Sequence, residues 1–201
     1  EDVSKAVVLI RPGNKDHPRT KRMIAGLKQG FGDQVELVKV VEPDIPQDIV
    51  ERYREQQARQ EQNAPEGMEE EQEQTSETER ILQAFPLGSW FNASLMDKTL
   101  QQYMENCDLL VSTVGLPPDF RRSEVADALN LAVVHGLRTV RRYRADIENG
   151  AIKAVVTRNP EGGIDIDKKP PRDIEKAFSK RYLLITPDNL EEKANEYSEL
   201  F

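Results

Sequence analysis

Six short apolar runs, rich in Val, Ile and Leu, are the feature that most constrains the fold of this 201-residue chain. Four of them are nearly continuous in apolar residues, a pattern typical of strands covered on both faces, as in a parallel sheet. We therefore predict a sheet buried between layers of helices. The six runs are residues 5–10, 35–41, 108–114, 138–143, 153–157 and 182–186.

Stretches with helical spacing of apolar residues lie between the runs. In residues 18–31, for example, Met23, Ile24, Leu27 and Phe31 fall on one helical face. Alternation of strands and helices predicts βαβ units and thus an α/β fold: a Rossmann-like three-layer α/β/α sandwich with a mostly parallel sheet of five or six strands. The other predicted helices cover residues 46–62, 95–106, 123–135, 172–180 and 190–200.

The length predicts a single α/β domain over residues 1–201, interrupted by an acidic segment. Residues 51–80 hold ten Glu and four Arg, so this segment carries −6 of the net charge of −8. We predict a solvated insertion or helical arm there, with a docking arm for a basic partner as the alternative. Residues 81–96 become apolar again, which predicts a return to the core; the alternative is an exposed aromatic patch at Trp90 and Phe91.

Charge and hydropathy exclude several classes of function. The pI of about 5.0 argues against broad nucleic-acid binding, and no apolar run is long enough for a membrane span. The basic cluster Arg138, Arg141, Arg142 and Arg144 is predicted to be outward charges on an edge strand, with binding of a phosphate or carboxylate as the alternative. The lone Cys107 permits no internal disulfide. The compartment stays open, and a periplasmic or extracellular location is slightly favoured because the chain begins at Glu1, as after removal of a leader.

Ligand-binding residues are expected where the strands of an open α/β sheet end, at the point where the strand order reverses. This rule selects the loops at 11–18, 113–120 and 157–163, the first of which leads into a helix N-terminus suited to an anion or a polyol. Each loop also fits a purely structural role as an ordinary turn. The candidate ligand-binding residues are Arg11, Asn14, Lys15, Thr113, Gly115, Asp119, Arg158 and Asn159.

The sequence contains no recognised catalytic, cofactor or metal-binding motif. The dinucleotide pattern GxGxxG, the phosphate-binding GxxxxGK[ST] and the nucleophile elbow GxSxG are all absent. His17 and His135 do not stand at metal-ligand spacing. We therefore expect no cofactor and no metal, and the sequence leans against an enzyme, although α/β enzymes can carry catalytic residues in loops without a motif.

A strand at 108–112 precedes a predicted helix that ends in Ala-x-x-x-Gly at 132–136, followed by another predicted strand. Together with the opening strand and its polar loop, this pattern resembles one lobe of the type 1 periplasmic sugar-binding proteins, the solute receptors of ABC transporters. The resemblance covers residues 5–48 and 96–145. It implies that the loops after strands 1 and 3 line a ligand cleft.

The resemblance implies a domain that binds a small polar ligand, either sugar-like or anionic. A full receptor has two lobes and a much longer chain, so a second copy in a homodimer is the implied source of the opposite wall. A different class of function stays open: a non-catalytic interaction or structural domain. Its contact would be the aromatic segment 85–91 or the acidic arm.

Overall fold

The computed structural model describes residues 3–63, 76–134, 140–162 and 173–201. These residues contain six strands and eight α-helices, and none of these helices is long and apolar enough to cross a membrane. The strands are β1 (Lys5–Leu9), β2 (Glu36–Val41), β3 (Leu109–Ser112), β4 (Asn130–Val134), β5 (Ile152–Arg158) and β6 (Tyr182–Ile185). The helices are α1 (Pro18–Phe31), α2 (Gln47–Asn63), α3 (Glu77–Ala84), α4 (Ala93–Leu100), α5 (Glu124–Ala128), α6 (Arg144–Glu148), α7 (Ile174–Ser179) and α8 (Leu190–Glu196).

All six strands form one sheet in the order β2-β1-β3-β4-β5-β6. Neighbouring strands are parallel except β6, which runs antiparallel to β5. In the centre, Val7 of β1 pairs with Leu110 of β3. The predicted α/β class with a mostly parallel sheet is confirmed, and the central pair β1–β3 brings two of the three predicted ligand loops, 11–18 and 113–120, side by side at the same edge.

Alternating residues of β1 divide the core between the two faces of the sheet. Val7 and Leu9 pack into the larger cluster, with side chains from α2, α3, α4, α5, α6 and α8. Val8 and Ile10 point the opposite way and pack against α1. Because strand side chains alternate between faces, this division explains why β1 reads as a continuous apolar run.

Two predictions near the middle of the chain are wrong. The helix predicted for 123–135 ends at Ala128, and residues 130–134 form β4. The run 138–143 is predicted to be a strand, but Arg141–Tyr143 form a 3-10 turn, and residues 138 and 139 lie outside the described part of the chain. The basic residues at 141–144 are therefore not outward charges on an edge strand, and Arg138 and His135 lie outside the described residues.

The acidic segment begins as part of the packed fold rather than as a wholly solvated arm. Its first half lies in α2, where Tyr53 is 7% exposed and accepts a hydrogen bond from Gln57. Residues 64–75 lie outside the described part of the chain. The predicted return to the core after the segment is confirmed, since Trp90 and Phe91 are buried, and the alternative of an aromatic patch at these two residues is wrong.

The two outer strands of the sheet are protected in different ways. Strand β2 carries a charged Lys39 in its middle, a device that discourages pairing with another strand. On β6, the backbone groups of successive residues point alternately toward β5 and toward the free edge. Arg181 O accepts from Asn159 N–H just after the end of β5, so the backbone groups of Leu184, three residues later, point toward the free edge. There, Asn189 Nδ2 donates to Leu184 O (3.0 Å) and its Oδ1 accepts from Thr186 N–H (2.8 Å).

Replacing Gly26 by alanine is expected to raise the free energy of unfolding by about 0.5–1 kcal/mol. Gly26 lies inside α1, and a Cβ added there meets nothing within 4 Å. The matched control is Gly32→Ala at the end of the same helix, where space is equally open but φ is +55°. Urea denaturation should show stabilisation at position 26 and destabilisation at position 32; a gain at both would contradict this account.

Candidate functional site

The switch point of the sheet, where successive strands stop adding on one side and begin to add on the other, lies at the β1–β3 pair. From β1 the chain moves through α1 to β2 on one side, and the later strands add on the other side, beginning with β3. The loops that follow β1 and β3 therefore diverge and leave a crevice between them, the usual ligand position in open α/β sheets. In this crevice the structure has two cavities, which share Arg11 and Val114.

The loop after β1 is held by its own backbone. Asn14 N–H donates to Arg11 O (3.2 Å) and His17 N–H donates to Asn14 O (3.1 Å). His17 then begins α1, its Nδ1 accepting from Arg19 N–H. The Arg11 side chain is exposed and has no hydrogen-bond or ion-pair partner among the described residues. The loop is thus fixed while its guanidinium group stays available.

The loop after β3 is held by residues 25 or more positions away in sequence. Leu116 N–H donates to the hydroxyl of Tyr143 (3.0 Å), and Arg142 Nη2 donates to Leu116 O (2.5 Å). Gly115 precedes this peptide with φ of +82°, a left-handed conformation that favours glycine. Nearer the strand, Thr113 donates to Leu9 O through both its N–H and its Oγ1. The backbone N–H and C=O of Leu116 thus both bind side chains, those of Tyr143 and Arg142.

The first cavity, here called the α1-side cavity, has a volume of about 270 Å³. It lies between the carboxyl ends of β1 and β3 and the first turn of α1. Polar donors and apolar side chains are mixed on its walls, which are formed by Ile10, Arg11, Asn14, Arg19, Thr20, Met23, Thr113, Val114 and Val134.

The second cavity, here called the Tyr143 cavity, is larger, at about 500 Å³. It lies beyond Arg11 and Val114, toward the segment that follows α3. A volume of this size falls in the range of small-molecule sites. Its lining residues are Arg11, Leu82, Pro86, Leu87, Gly88, Val114, Gly115, Arg142 and Tyr143.

The walls of both cavities are cationic although the chain as a whole is acidic. Arg11, Arg19 and Arg142 line them, and no Asp or Glu does so among the described residues. A third cavity, of about 340 Å³, differs: Glu42, Asp44 and Glu77 line it together with a single arginine, Arg54. Clefts lined by one sign of charge concentrate ligands of the opposite sign. Of these cavities, the two in the β1–β3 crevice therefore suit an anion.

Four of the eight predicted ligand residues lie in the crevice: Arg11, Asn14, Thr113 and Gly115. The other four line neither cavity. Lys15 uses its N–H to bind Glu42, and Asp119 Oδ1 accepts from Ala93 N–H (2.9 Å) at the start of α4 rather than capping the helix that follows it. Arg158 ends β5, two strands beyond β3, and Asn159 follows it and donates from Nδ2 to Ser179 O.

Sequence reasoning missed the residues that other elements bring to the crevice. Arg142 belongs to the basic cluster for which the sequence offers anion binding only as the alternative, and Tyr143 ends the run 138–143 that is predicted as a strand. Leu87 comes from the segment after α3, which the sequence places in the core. A further signal in the sequence is Arg19, which directly follows the predicted first helical residue Pro18.

Burial raises the pKa of the Tyr143 hydroxyl above its usual value, because the ionised form would lose solvation. The tyrosine is 1% exposed, so its hydroxyl is neutral at physiological pH and can both accept and donate a hydrogen bond. Burial also raises the pKa of Cys107, which lies away from both cavities. The described residues contain no cluster of three or more His, Cys, Asp or Glu side chains that is arranged for a metal.

No family model and no curated protein matches the chain. Among solved structures, an ABC transporter solute binding protein from Bacillus halodurans with bound myo-inositol aligns with 10% identity and a TM-score of 0.40. The alignment covers 98% of this chain and 56% of that protein, so the chain spans little more than half of its length.

Proposed function

We propose that the chain binds a small anionic solute, one that carries a carboxylate or phosphate group, in the crevice between the loops after β1 and β3. The observation that carries the proposal is the position of Arg11. Its side chain has no partner among the described residues and lines both cavities of the crevice. Guanidinium groups bind carboxylate and phosphate oxygens through paired hydrogen bonds, which makes such an arginine a suitable anchor.

The donor set favours an anion over a neutral sugar. Arginine has five N–H donors and no acceptor, and three arginines line the crevice. A sugar hydroxyl donates as well as accepts, and carboxylate acceptors are absent from the described lining. Asn14, Thr20 and Thr113 are the side chains that supply acceptors to the α1-side cavity. The balance of donors over acceptors thus supports an anionic group at Arg11.

The test is a titration with inorganic phosphate and with acetate, followed by calorimetry and by the rise in melting temperature that a bound ligand produces. Arg11→Gln is expected to weaken binding about tenfold or more, because a charge-assisted hydrogen bond is lost. The matched control is Arg181→Gln, at the far edge of the sheet. Neutral myo-inositol should bind no more tightly to the wild type than to Arg11→Gln.

Two results would overturn the proposal. One is the absence of binding by both phosphate and acetate in the wild-type protein. The other is an affinity in Arg11→Gln equal to that of the wild type and of Arg181→Gln, which would place the anion elsewhere.

A further inference from the structure

We infer that the preferred ligand is an amphipathic anion, with an apolar body attached directly to its carboxylate or phosphate group. This inference rests on the proposed function and specifies its class of ligand. It comes from the Tyr143 cavity, whose lining combines apolar side chains with hydrogen-bond donors.

The apolar part of the lining consists of Leu82, Pro86, Leu87 and Val114. Leu82 is buried and anchors this part to the core. The adjoining turn is fixed, because Trp90 Nε1 donates to Phe85 O (3.1 Å) and Trp90 N–H donates to Leu87 O (3.2 Å). Leu87 is therefore held in position at the cavity, where its side chain is half-buried. An apolar group of a ligand that covered Leu87 would remove its remaining surface from water, which favours binding.

The polar part of the lining presents donors that find no acceptor within the described ranges. Tyr143 accepts from Leu116 N–H, and its own O–H has no acceptor among those residues. Arg142 uses Nη2 on Leu116 O, and its other N–H groups have no acceptor among the described residues. Its guanidinium carbon lies 4.6 Å from the centre of the Tyr143 ring, which orients the group. With Arg11, these donors suit one end of a ligand only.

The volume supports a ligand larger than a free inorganic ion. The cavity measures about 500 Å³, and a bare phosphate at Arg11 would leave the exposed part of Leu87 in contact with water. An apolar body of ring size would cover that surface. From the transfer free energy of buried carbon, we expect a roughly tenfold or greater gain in affinity over the bare anion.

The experiment compares inorganic phosphate with phenyl phosphate, and acetate with benzoate, by calorimetric titration of the full chain. Wild-type protein is expected to bind the aromatic member of at least one pair about tenfold or more tightly. Gly88→Leu should remove that preference. Gly88 lines the cavity, and a Cβ added there meets nothing within 4 Å, so position 88 accepts a Cβ beside the cavity without a clash.

The matched control is Gly26→Leu, which adds the same side chain to open space on α1 and should retain the preference. Leu87→Ser provides a second variant, expected to reduce the preference without adding bulk. Equal affinity for both members of each pair in the wild type would overturn this inference and leave the proposed function standing. Full retention of the preference in both Gly88→Leu and Leu87→Ser would also overturn it. Failure of all four anions to bind would overturn the proposed function itself.

Discussion

Replacing Leu110 with alanine is expected to lower the free energy of unfolding by about 2–5 kcal/mol. Leu110 lies on β3 in the middle of the sheet, pairs with Val7 and is 0% exposed. The substitution removes buried methyl groups and leaves a cavity that the rigid neighbouring strands cannot close. Guanidinium denaturation followed by circular dichroism measures the loss.

The matched control is Leu184→Ala on β6, where the side chain is 45% exposed. Because nearly half of that leucine is exposed to water, we expect a smaller change, below about 1 kcal/mol. Similar losses at positions 110 and 184 would contradict the placement of β3 at the centre and β6 at the margin of the sheet.

Replacing Tyr143 with phenylalanine is expected to cost about 1–3 kcal/mol of stability. The substitution keeps the buried ring and its contact with Arg142 but removes the acceptor for Leu116 N–H, a group that is buried with its residue. A buried N–H without a partner carries its full desolvation cost. The control is Tyr182→Phe on β6, where the side chain is 41% exposed and little change is expected.

The same substitution should alter the alkaline limb of the stability profile. Burial raises the pKa of Tyr143 in the folded state above its ordinary value of 10.0. The contribution of the neutral hydroxyl is therefore complete below that value and is lost as the pH rises through the higher pKa of the folded state. Urea denaturation at about pH 8 and about pH 11 should show the gap between wild type and Tyr143→Phe narrowing. A gap that widens at high pH would contradict the burial of this hydroxyl.

Features set by neighbouring residues could be predicted from the sequence. Helix α1 spans residues 18–31 as predicted, since Pro18 suits its first position and the apolar residues share one face. Strands β1 and β3 come from two apolar runs that need cover on both sides, and they are parallel members of one sheet as predicted. Of the eight predicted ligand residues, those in the loops directly after these two strands include all four that line the crevice.

The errors arose where one pattern fits two structures or where distant residues meet. Val125, Leu129 and Val133 have the spacing of a helical face, yet residues 131 and 133 also alternate as in a strand. Residues 130–134 form a strand because they pair with β3 on one side and β5 on the other. The contact of Tyr143 with Leu116 joins residues 27 positions apart, and no local pattern encodes it. Asp119 likewise serves α4, an element 26 positions before it.

The carboxamide of Asn189 takes the place of a neighbouring strand at the free edge of β6, since it donates to Leu184 O and accepts from Thr186 N–H. An incoming chain would have to displace both hydrogen bonds before it could extend the sheet. At the opposite margin, it would have to bury the charge of Lys39. Both outer strands, β2 and β6, thus oppose edge-to-edge association of copies into open-ended fibrils.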